Sequence, residues 1–429
     1  MIKDRPYKGE EKYMKFAADL HLHSRFSRAT SINMNVRALD AWARIKGIKV
    51  LGTGDFTHPE WLLELKNDLE PAKPGLFKLK TRNSPTRFLL TAEISCIYSK
   101  IGQVRKIHIV IFSPSFEAVE KINVRLSRVG NLAADGRPML GIDAKELAKI
   151  VFDASDQCMV IPAHAMTPWF GIFGSKSGFN SLEECFEDYA KYIYAIETGL
   201  SADPEMLWRI PDGRKVALIS NSDAHSPQKL AREANIFETE IDYFEMVKAI
   251  KEKDPTKFLY TIEFFPAEGK YHFDGHRACN ICFSPQESKK YGGNCPACGR
   301  SLTIGVVSRI EELADQPEGY CPVGAIPYRH FVPLQEIIAD AVNLMTASKQ
   351  VQLEYDNLVK SFGSEFSVLL GPTYDELAKV TLPEIAEGVI RVREGKVRVI
   401  PGYDGVFGKI KIFNDEVVAK ITDTQKKLF

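Results

Sequence analysis

The sequence has no long apolar run. No stretch approaches the roughly 18 consecutive apolar residues that a membrane span requires, and the opening MIKDRPYKGEEKYMKF has no apolar core of the kind a secretory signal carries. A membrane-spanning or exported chain is therefore not expected, and the reading is a cytoplasmic protein. Net charge is also missing: 56 Lys and Arg stand against 56 Asp and Glu, a formal charge of +0. That balance excludes a chain that coats nucleic acid by overall positive charge, while local basic patches stay open. Internal repeats and low-complexity tracts are absent as well. With 45% hydrophobic and 26% charged residues over 429 positions, the composition excludes disordered, collagen-like and coiled-coil chains and suits roughly two or three globular domains.

Cysteine is scarce, at eight residues. Cys96, Cys158, Cys185 and Cys321 are scattered and read as buried thiols. The other four form Cys279-x-x-Cys282, twelve intervening residues, then Cys295-x-x-Cys298-Gly. Two such knuckles predict a structural zinc ribbon, in which four thiolates fold a segment too small to have its own core. His272 and His276 lie just upstream as alternative ligands, although four cysteines already close a tetrahedral shell.

What the first 240 residues do contain is an alternation of short apolar or β-branched runs with helical patterns. Candidate strands are 16–22, 49–54, 88–94, 107–112, 159–163, 194–198, 216–220 and 235–237. Asn35 is a plausible N-cap for VRALDAWARIK and Gly47 its stop. Strand, helix and strand at this spacing predict a parallel sheet, and about eight repeats favour a β/α barrel, whose chemistry gathers at the C-terminal ends of the strands.

Histidines and carboxylates occur at those ends. His21 and His23 close the first candidate strand as His-x-His, and alternation puts both on one side. Asp223 and His225 repeat the spacing after VALISNS. His164 follows VIPA, Asp55 and His58 follow the second strand, Glu93 ends FLLTAE, and His108 begins IHIVIF. Imidazoles and carboxylates converging on one mouth are the ligand set of zinc or manganese.

Taken in order, HLHS, GTGDFTH, AEIS, HIVIF, IPAHA and NSDAH resemble the motifs of the polymerase and histidinol phosphatase (PHP) superfamily, over roughly residues 15–240. The resemblance implies a distorted β/α barrel with two or three metal ions, Zn2+, Mn2+ or Mg2+, that hydrolyses phosphate esters. Position by position it implies that His21, His23, Glu93 and Asp223 hold one metal, that Glu93 bridges to a second held by His108 and His164, and that His58 and His225 hold a third. Many members carry another histidine shortly after His-x-His; SRFSRATS supplies none here, and Asp55 is the candidate to compensate. A multi-metal site suits this chemistry because it neutralises an anionic phosphodiester, supplies hydroxide near neutral pH and stabilises the leaving oxygen. Asp223, His225 and Glu93 are accordingly the catalytic candidates.

Beyond residue 265 the character changes. After the ribbon, helical periodicity puts Leu334, Ile337, Ile338, Ala341, Val342 and Met345 on one stripe, and KVRVI and KIKIF flank PGYDGVFG as a short hairpin. Between Arg391 and Lys411, Arg391, Arg393, Lys396, Arg398 and Lys409 outnumber the acids, with Tyr403 and Phe407 interleaved. Such a segment can track phosphates and stack on bases. The glycine-rich loop MTPWFGIFGSKSGF, directly after His164, carries Trp169, Phe170, Phe173, Ser175 and Lys176, which could hold an extruded base or a phosphate. The expected division is 1–265 for the phosphoesterase barrel, 266–310 for the ribbon, and 311–429 for a mostly helical DNA-binding domain with a terminal hairpin.

With ribbon and tail added, RVIPGYDGVFGKIKIF and GTGDFTHPEW resemble the endonuclease Q family of prokaryotic DNA-repair nucleases. That resemblance implies incision of DNA 5′ of uracil, hypoxanthine and xanthine and at abasic sites. It implies DNA as partner and a nucleoid setting, and leaves room for replication or repair proteins. A small-molecule phosphatase on the same barrel and a non-catalytic nucleic-acid-binding scaffold are the alternatives; the first gives the ribbon and tail no role, the second leaves the ligand set unused.

Overall fold

The computed structural model describes residues 14–80 and 84–413; most of the opening stretch discussed above lies outside them. Among the described residues twelve strands precede the ribbon: β1 (Lys15–Asp19), β2 (Ile48–Gly52), β3 (Leu69–Lys73), β4 (Leu76–Leu79), β5 (Arg87–Lys100), β6 (Gln103–Ser113), β7 (Met139–Leu140), β8 (Met159–Pro162), β9 (Ala195–Glu197), β10 (Ala217–Ile219), β11 (Ala234–Glu238) and β12 (Phe258–Glu263). Two lie within it, β13 (Asp274–His276) and β14 (Ile281–Phe283), and three follow: β15 (Tyr328–His330), β16 (Arg398–Ile400) and β17 (Lys409–Lys411). Each of the eight strands expected before residue 240 has its counterpart, whereas β3, β4, β7, β12 and β15 were not anticipated.

The result is a mixed α/β fold on a large sheet of order β15-β12-β11-β1-β2-β5-β4-β3, with β6 on β5 and β8 on β6. The expectation of a parallel sheet fails on both sides of the parallel β1-β2-β5 core. β5, β6 and β8 run antiparallel, as do β1, β11 and β12. The reason at β5–β6 is local. Ile101 and Gly102 have φ of 52° and 70°, the left-handed pair of a two-residue hairpin turn, so the chain returns directly without a crossover helix.

β9 and β10 pair with each other in parallel. Among the described residues no ladder joins them to the large sheet; isolated bonds bridge the gaps, Ala165 N–H to Glu197 O (2.9 Å) on one side and, at the Leu22–Ala224 bridge, Asp223 N–H to His21 O (2.9 Å) and His23 N–H to Ala224 O (3.0 Å) on the other. The sheet is therefore not drawn as a closed barrel. It nevertheless brings the C-terminal ends of β1, β8, β9 and β10 to one mouth.

Helix α1 (Val36–Lys46) lies where its capping residues placed it: the Asn35 side chain accepts from Ala38 N–H, and Gly47 ends it at φ 91°. Val36, Leu39 and Ala43 form its buried stripe. A side chain at Gly47 would also meet Ser364 Oγ at 2.5 Å, because the C-terminal helices pack here. Lys46 Nζ reaches Glu365 Oε2 at 2.5 Å with both side chains almost wholly buried, and the Tyr355 hydroxyl donates to the same oxygen. Those helices span Leu334–Ala341, Lys349–Phe362, Glu365–Leu370, Tyr374–Ala378 and Pro383–Arg393. The single stripe expected after Pro333 is broken: the first of them stops at Ala341, Asn343 turns left-handed, and Ser348 caps a new helix. Leu334, Ile337 and Ile338 are core, but Met345 is 80% exposed. Among the described residues no helix is long and apolar enough to cross a membrane.

Candidate catalytic centre

Past the end of β1 the chain stays extended. Leu20 and Leu22 go into the core, and His21 and His23 face the mouth. His23 Nε2 lies 3.1 Å from Asp223 Oδ1 and 3.2 Å from Glu93 Oε2; His21 Nε2 lies 3.7 Å from each. The other carboxylate oxygen of Glu93 faces His108 Nδ1 at 2.8 Å and His164 Nε2 at 3.1 Å. Glu93 thus joins two groups of possible metal ligands, His21-His23-Asp223 and Glu93-His108-His164. Asp55, His164 and Asp223 all have positive φ (49°, 31° and 47°), a strained backbone that the surrounding contacts must hold.

Three of the four inward-facing imidazoles are fixed from behind. His21 Nδ1 sits 3.0 Å from both oxygens of Glu197, which also accepts from His164 N–H and Asn221 Nδ2 (each 2.9 Å). His23 Nδ1 sits 3.0 Å from Asp55 Oδ1, and Asp55 Oδ2 accepts from Ser24 N–H, Ser24 Oγ and Ser27 Oγ. His164 Nδ1 meets Thr167 Oγ1 at 2.8 Å. This is the carboxylate-imidazole-metal arrangement, in which the outer partner sets tautomer and ring direction. It corrects one expectation: Asp55 holds His23 rather than facing the mouth, because Ser24 and Ser27 already occupy its second oxygen.

A third group is not assembled among the described residues. His58 stacks on Phe26 with ring centroids 4.4 Å apart, and its Nδ1 is buried without a partner. The His225 ring lies 4.6 Å from that of His23, with Nδ1 2.9 Å from Asp223 O.

Electrostatics favour a cation here. Burial opposes protonation of His21 and His23, yet Glu197 and Glu93 around the first, and Asp55, Asp223 and Glu93 around the second, outweigh it and raise both pKa values well above the usual imidazole range. Burial dominates at His108, lowering it to about 4. Burial would raise Glu93, but His108, Arg137 and His21 hold it well below the carboxylate range. The donor set itself gives a sharper test of fit. His21 Nε2, His23 Nε2 and Asp223 Oδ1 are buried with no hydrogen-bond partner. Three orphaned donors and acceptors on one centre would be costly in a purely structural cluster, and a metal ion satisfies all three at once.

Glu197 was missed by sequence reasoning, although it ends β9 in YAIET; Glu93, expected at a strand end, lies midway along β5. Glu197→Gln should weaken metal retention by roughly 10- to 100-fold while leaving the ligands in place, measurable as metal content after dialysis against a chelator. Full retention would leave Glu197 a packing residue. Arg137, which ion-pairs with Glu93 Oε2 at 3.0 Å, gave no sequence signal.

The loop after His164 divides. Trp169 is 41% exposed and meets Tyr271 edge-on at 5.4 Å; the Phe170 ring packs 4.3 Å from that of His108. Lys176 is exposed, and Ser175 Oγ is buried without a partner. Phe173 is corrected from base contact to core: it is fully buried, and its carbonyl accepts from Arg309 Nε.

In the ribbon, the atoms that converge belong to His276, Cys279, Cys295 and Cys298. Four cysteines were expected; Cys282 lies outside this group, on β14 opposite Gly275. Backbone N–H groups of Ala297 and Cys298 outweigh desolvation and draw the Cys295 thiol down to about 7, as a thiolate ligand needs. Of the scattered cysteines, Cys96, Cys158 and Cys185 are buried, but Cys321 is exposed.

The expected hairpin forms as β16 and β17, with Lys409 exposed. Two of its basic neighbours serve other ends. Arg393 donates to the carbonyls of Val368, Leu369 and Pro372, and Arg391 Nε donates to Ile412 O. Arg393 in particular has its guanidinium spent on helix ends and is corrected from phosphate contact to structural brace.

Comparison with known proteins bears on the whole assembly. Residues 333–396 match the family described as the MJ0043 C-terminal domain. The uncharacterized protein MJ0043 of Methanocaldococcus jannaschii is 36% identical over 257 residues, 58% of this chain and 31% of that protein, so the chain spans about a third of its length. The uncharacterized protein YqxK of Bacillus subtilis is 31% identical over 410 residues, 92% of this chain and 99% of that one. Among solved structures, the lesion-specific endonuclease PfuEndoQ of Pyrococcus furiosus superposes with a TM-score of 0.84 at 31% identity, covering 96% of this chain and 99% of that one. An endonuclease Q in complex with a 27-mer duplex bearing an abasic lesion at the active site gives 0.82 at 31% identity, over 94% and 98%. With 31% identity and a superposable fold along nearly the full length, the chain belongs to the endonuclease Q family.

Proposed function

We propose that this chain is a metal-dependent DNA-repair endonuclease that hydrolyses the phosphodiester on the 5′ side of deaminated bases (uracil, hypoxanthine, xanthine) and of abasic sites. The observation that carries the reading is Glu93, one carboxylate joining two imidazole-rich groups, in a chain similar end to end to an endonuclease complexed with abasic duplex DNA. We read the sheet together with β9 and β10 as a distorted PHP-type barrel. Residues 1–265 carry the chemistry, and 266–310 and 311–429 hold DNA, with replication or repair proteins as further partners in a prokaryotic cytoplasm.

His21, His23, Glu93 and Asp223 would hold one cation and Glu93, His108 and His164 another, with zinc in the ribbon. Zinc, manganese or magnesium in the centre would supply charge neutralisation at the phosphate and a nucleophile at neutral pH. The chain's own part is to orient and to move protons. Asp223 Oδ1, lacking a hydrogen-bond partner, can accept a proton from an attacking water. His225, whose side chain is about a third exposed, can return one to the leaving oxygen.

One pocket can accept several lesions because deamination replaces an amino group by a carbonyl beside a ring N–H. Uracil and hypoxanthine then offer the same acceptor and donor, and cytosine and adenine the wrong polarity. Thymine must be excluded by its methyl group, and guanine in part by the cost of extracting it from a stable pair. The exposed Trp169 against Tyr271 is the candidate platform for the extruded base. The test is a labelled duplex with a single uracil, hypoxanthine or abasic site, incubated with each metal, and the cut mapped. Incision 5′ of the lesion is expected, and phosphomonoester hydrolysis without DNA cleavage would overturn the reading. In the same assay Trp169→Ala should depress cutting at uracil and hypoxanthine far more than at the abasic site, where no base needs holding. Equal losses on all three would move the pocket elsewhere.

A further inference from the structure

Arg137 lies in a segment, 131–138, that belongs to neither a strand nor a helix, yet its path is closely determined. Gly136 N–H donates to Phe26 O (3.0 Å), Thr57 Oγ1 donates to Gly136 O (3.3 Å), Arg137 N–H donates to Asp135 Oδ1 (3.1 Å), and Pro138 O accepts from Ser95 N–H (3.0 Å). A Cβ at Gly136 would stand 2.3 Å from Asp55 Oδ2 and 2.4 Å from Ser27 Oγ. The glycine therefore lets the loop lie directly on the pair that holds His23, and the next side chain is delivered over the centre. Arg137 Nη1 lies 3.0 Å from Glu93 Oε2, with the side chain 27% exposed and Glu93 fully buried. Among the described residues it is the one Lys or Arg that ion-pairs with a carboxylate of the two ligand groups.

The same oxygen, Glu93 Oε2, is the one that faces His21 and His23. It cannot serve a cation among those imidazoles and a guanidinium together without placing like charges side by side. With that position filled by a cation, the guanidinium is left at the mouth, partly exposed, with its fork of N–H donors free. Its planar donors match two oxygens of a phosphate. We propose that Arg137 is a catalytic residue that binds the non-bridging oxygens of the scissile phosphate and stabilises the charge they carry during displacement. The inference rests on the nuclease reading.

The test uses the metal-loaded full chain, its Arg137→Gln and Arg137→Lys variants, and a duplex with one abasic site. Removing one preorganised donor from a developing anion costs roughly 10²- to 10³-fold in rate. That loss is expected in the single-turnover rate of Arg137→Gln, with metal content and duplex affinity unchanged. Arg137→Lys should recover part of the rate, and added guanidinium ion should partly rescue Arg137→Gln. Calorimetric titration with inorganic phosphate supplies an independent reading and should show weaker binding by the variant. Unchanged cleavage, metal loss in step with the rate, or equal phosphate affinity in parent and variant would each overturn the proposal, the second by making Arg137 a partner of Glu93 only. If the parent cuts no lesion-bearing duplex, the nuclease reading fails, and the phosphate titration still decides for or against Arg137.

Discussion

Asp223→Asn is expected to abolish strand cleavage, as is His23→Ala separately, each by roughly 10³-fold or more, as when one member of a catalytic unit is removed. Asp223 Oδ1 sits 3.1 Å from His23 Nε2 and 3.7 Å from His21 Nε2, so the amide removes one of the two negative charges, beside that of Glu93, that face both imidazoles, and loses a proton acceptor. His23→Ala removes a ligand and also leaves Asp55 buried without its ionic partner, so it should cost stability too. Asp223→Asn is therefore the cleaner of the two. DNA binding should survive both, since contacts to the phosphate backbone are spread over the duplex. Gel-shift affinity beside cleavage rate, with circular dichroism as a check on folding, separates these effects. Near-normal cleavage by both variants would displace the centre from this mouth.

The ribbon should give the second large effect. Cys279→Ser, Cys295→Ser or His276→Ala is expected to release the ribbon metal and lower the unfolding temperature, because metal binding supplies the folding energy of a segment with few apolar contacts. Cys282→Ser should keep the metal, since its side chain stands outside the converging group. Metal analysis of the four variants beside thermal unfolding distinguishes the ligand sets. Release from Cys282→Ser and retention by His276→Ala would restore the four-cysteine arrangement.

How far the sequence could be read depended on whether a feature is local. Asn35 and Gly47 delimit α1 because a cap acts within a few residues, and the strand ends bearing His21, His164 and Asp223 could be located because alternation and turn residues are local too; Glu93, expected at such an end, lies midway along the longer β5. Strand direction could not: Ile101 is a poor advertisement for a left-handed turn, so the β5–β6 hairpin read as two strands of a parallel sheet. Asp55 was placed among the ligands from its position at a strand end, whereas its role is decided by Ser24 and Ser27, which only the folded chain brings to it. Arg393 looked like one more base in a basic run, and its donors turned out to be committed to carbonyls more than 20 residues away. Cys282 fitted the knuckle spacing, but β13–β14 pairing sets which way that strand presents its side chains.

The hairpin and the ribbon form one object although they are far apart in the chain. Gly402 N–H donates to Ala267 O, Gly405 N–H to Lys270 O and Gly408 N–H to Glu268 O. Asp404 accepts from Arg277 N–H and Thr303 Oγ1, and the Tyr403 hydroxyl donates to Asn280. Gly402 and Gly408 admit no side chain, since a Cβ would stand 2.4 Å and 2.1 Å from the carbonyls of Gly269 and Ala267. In time, this makes the ribbon a late structure. A chain emerging from the ribosome exposes its cysteines long before residues 402–408 arrive to cover the segment that carries them, and synthesis at roughly 5–20 residues per second leaves an interval of several seconds. During that interval the thiols are open to any soft metal ion or oxidant. The hairpin therefore acts as a closing seam, and a premature stop just before it would leave every predicted metal ligand in the chain while removing the bonds that tie down the segments flanking the ribbon's ligands.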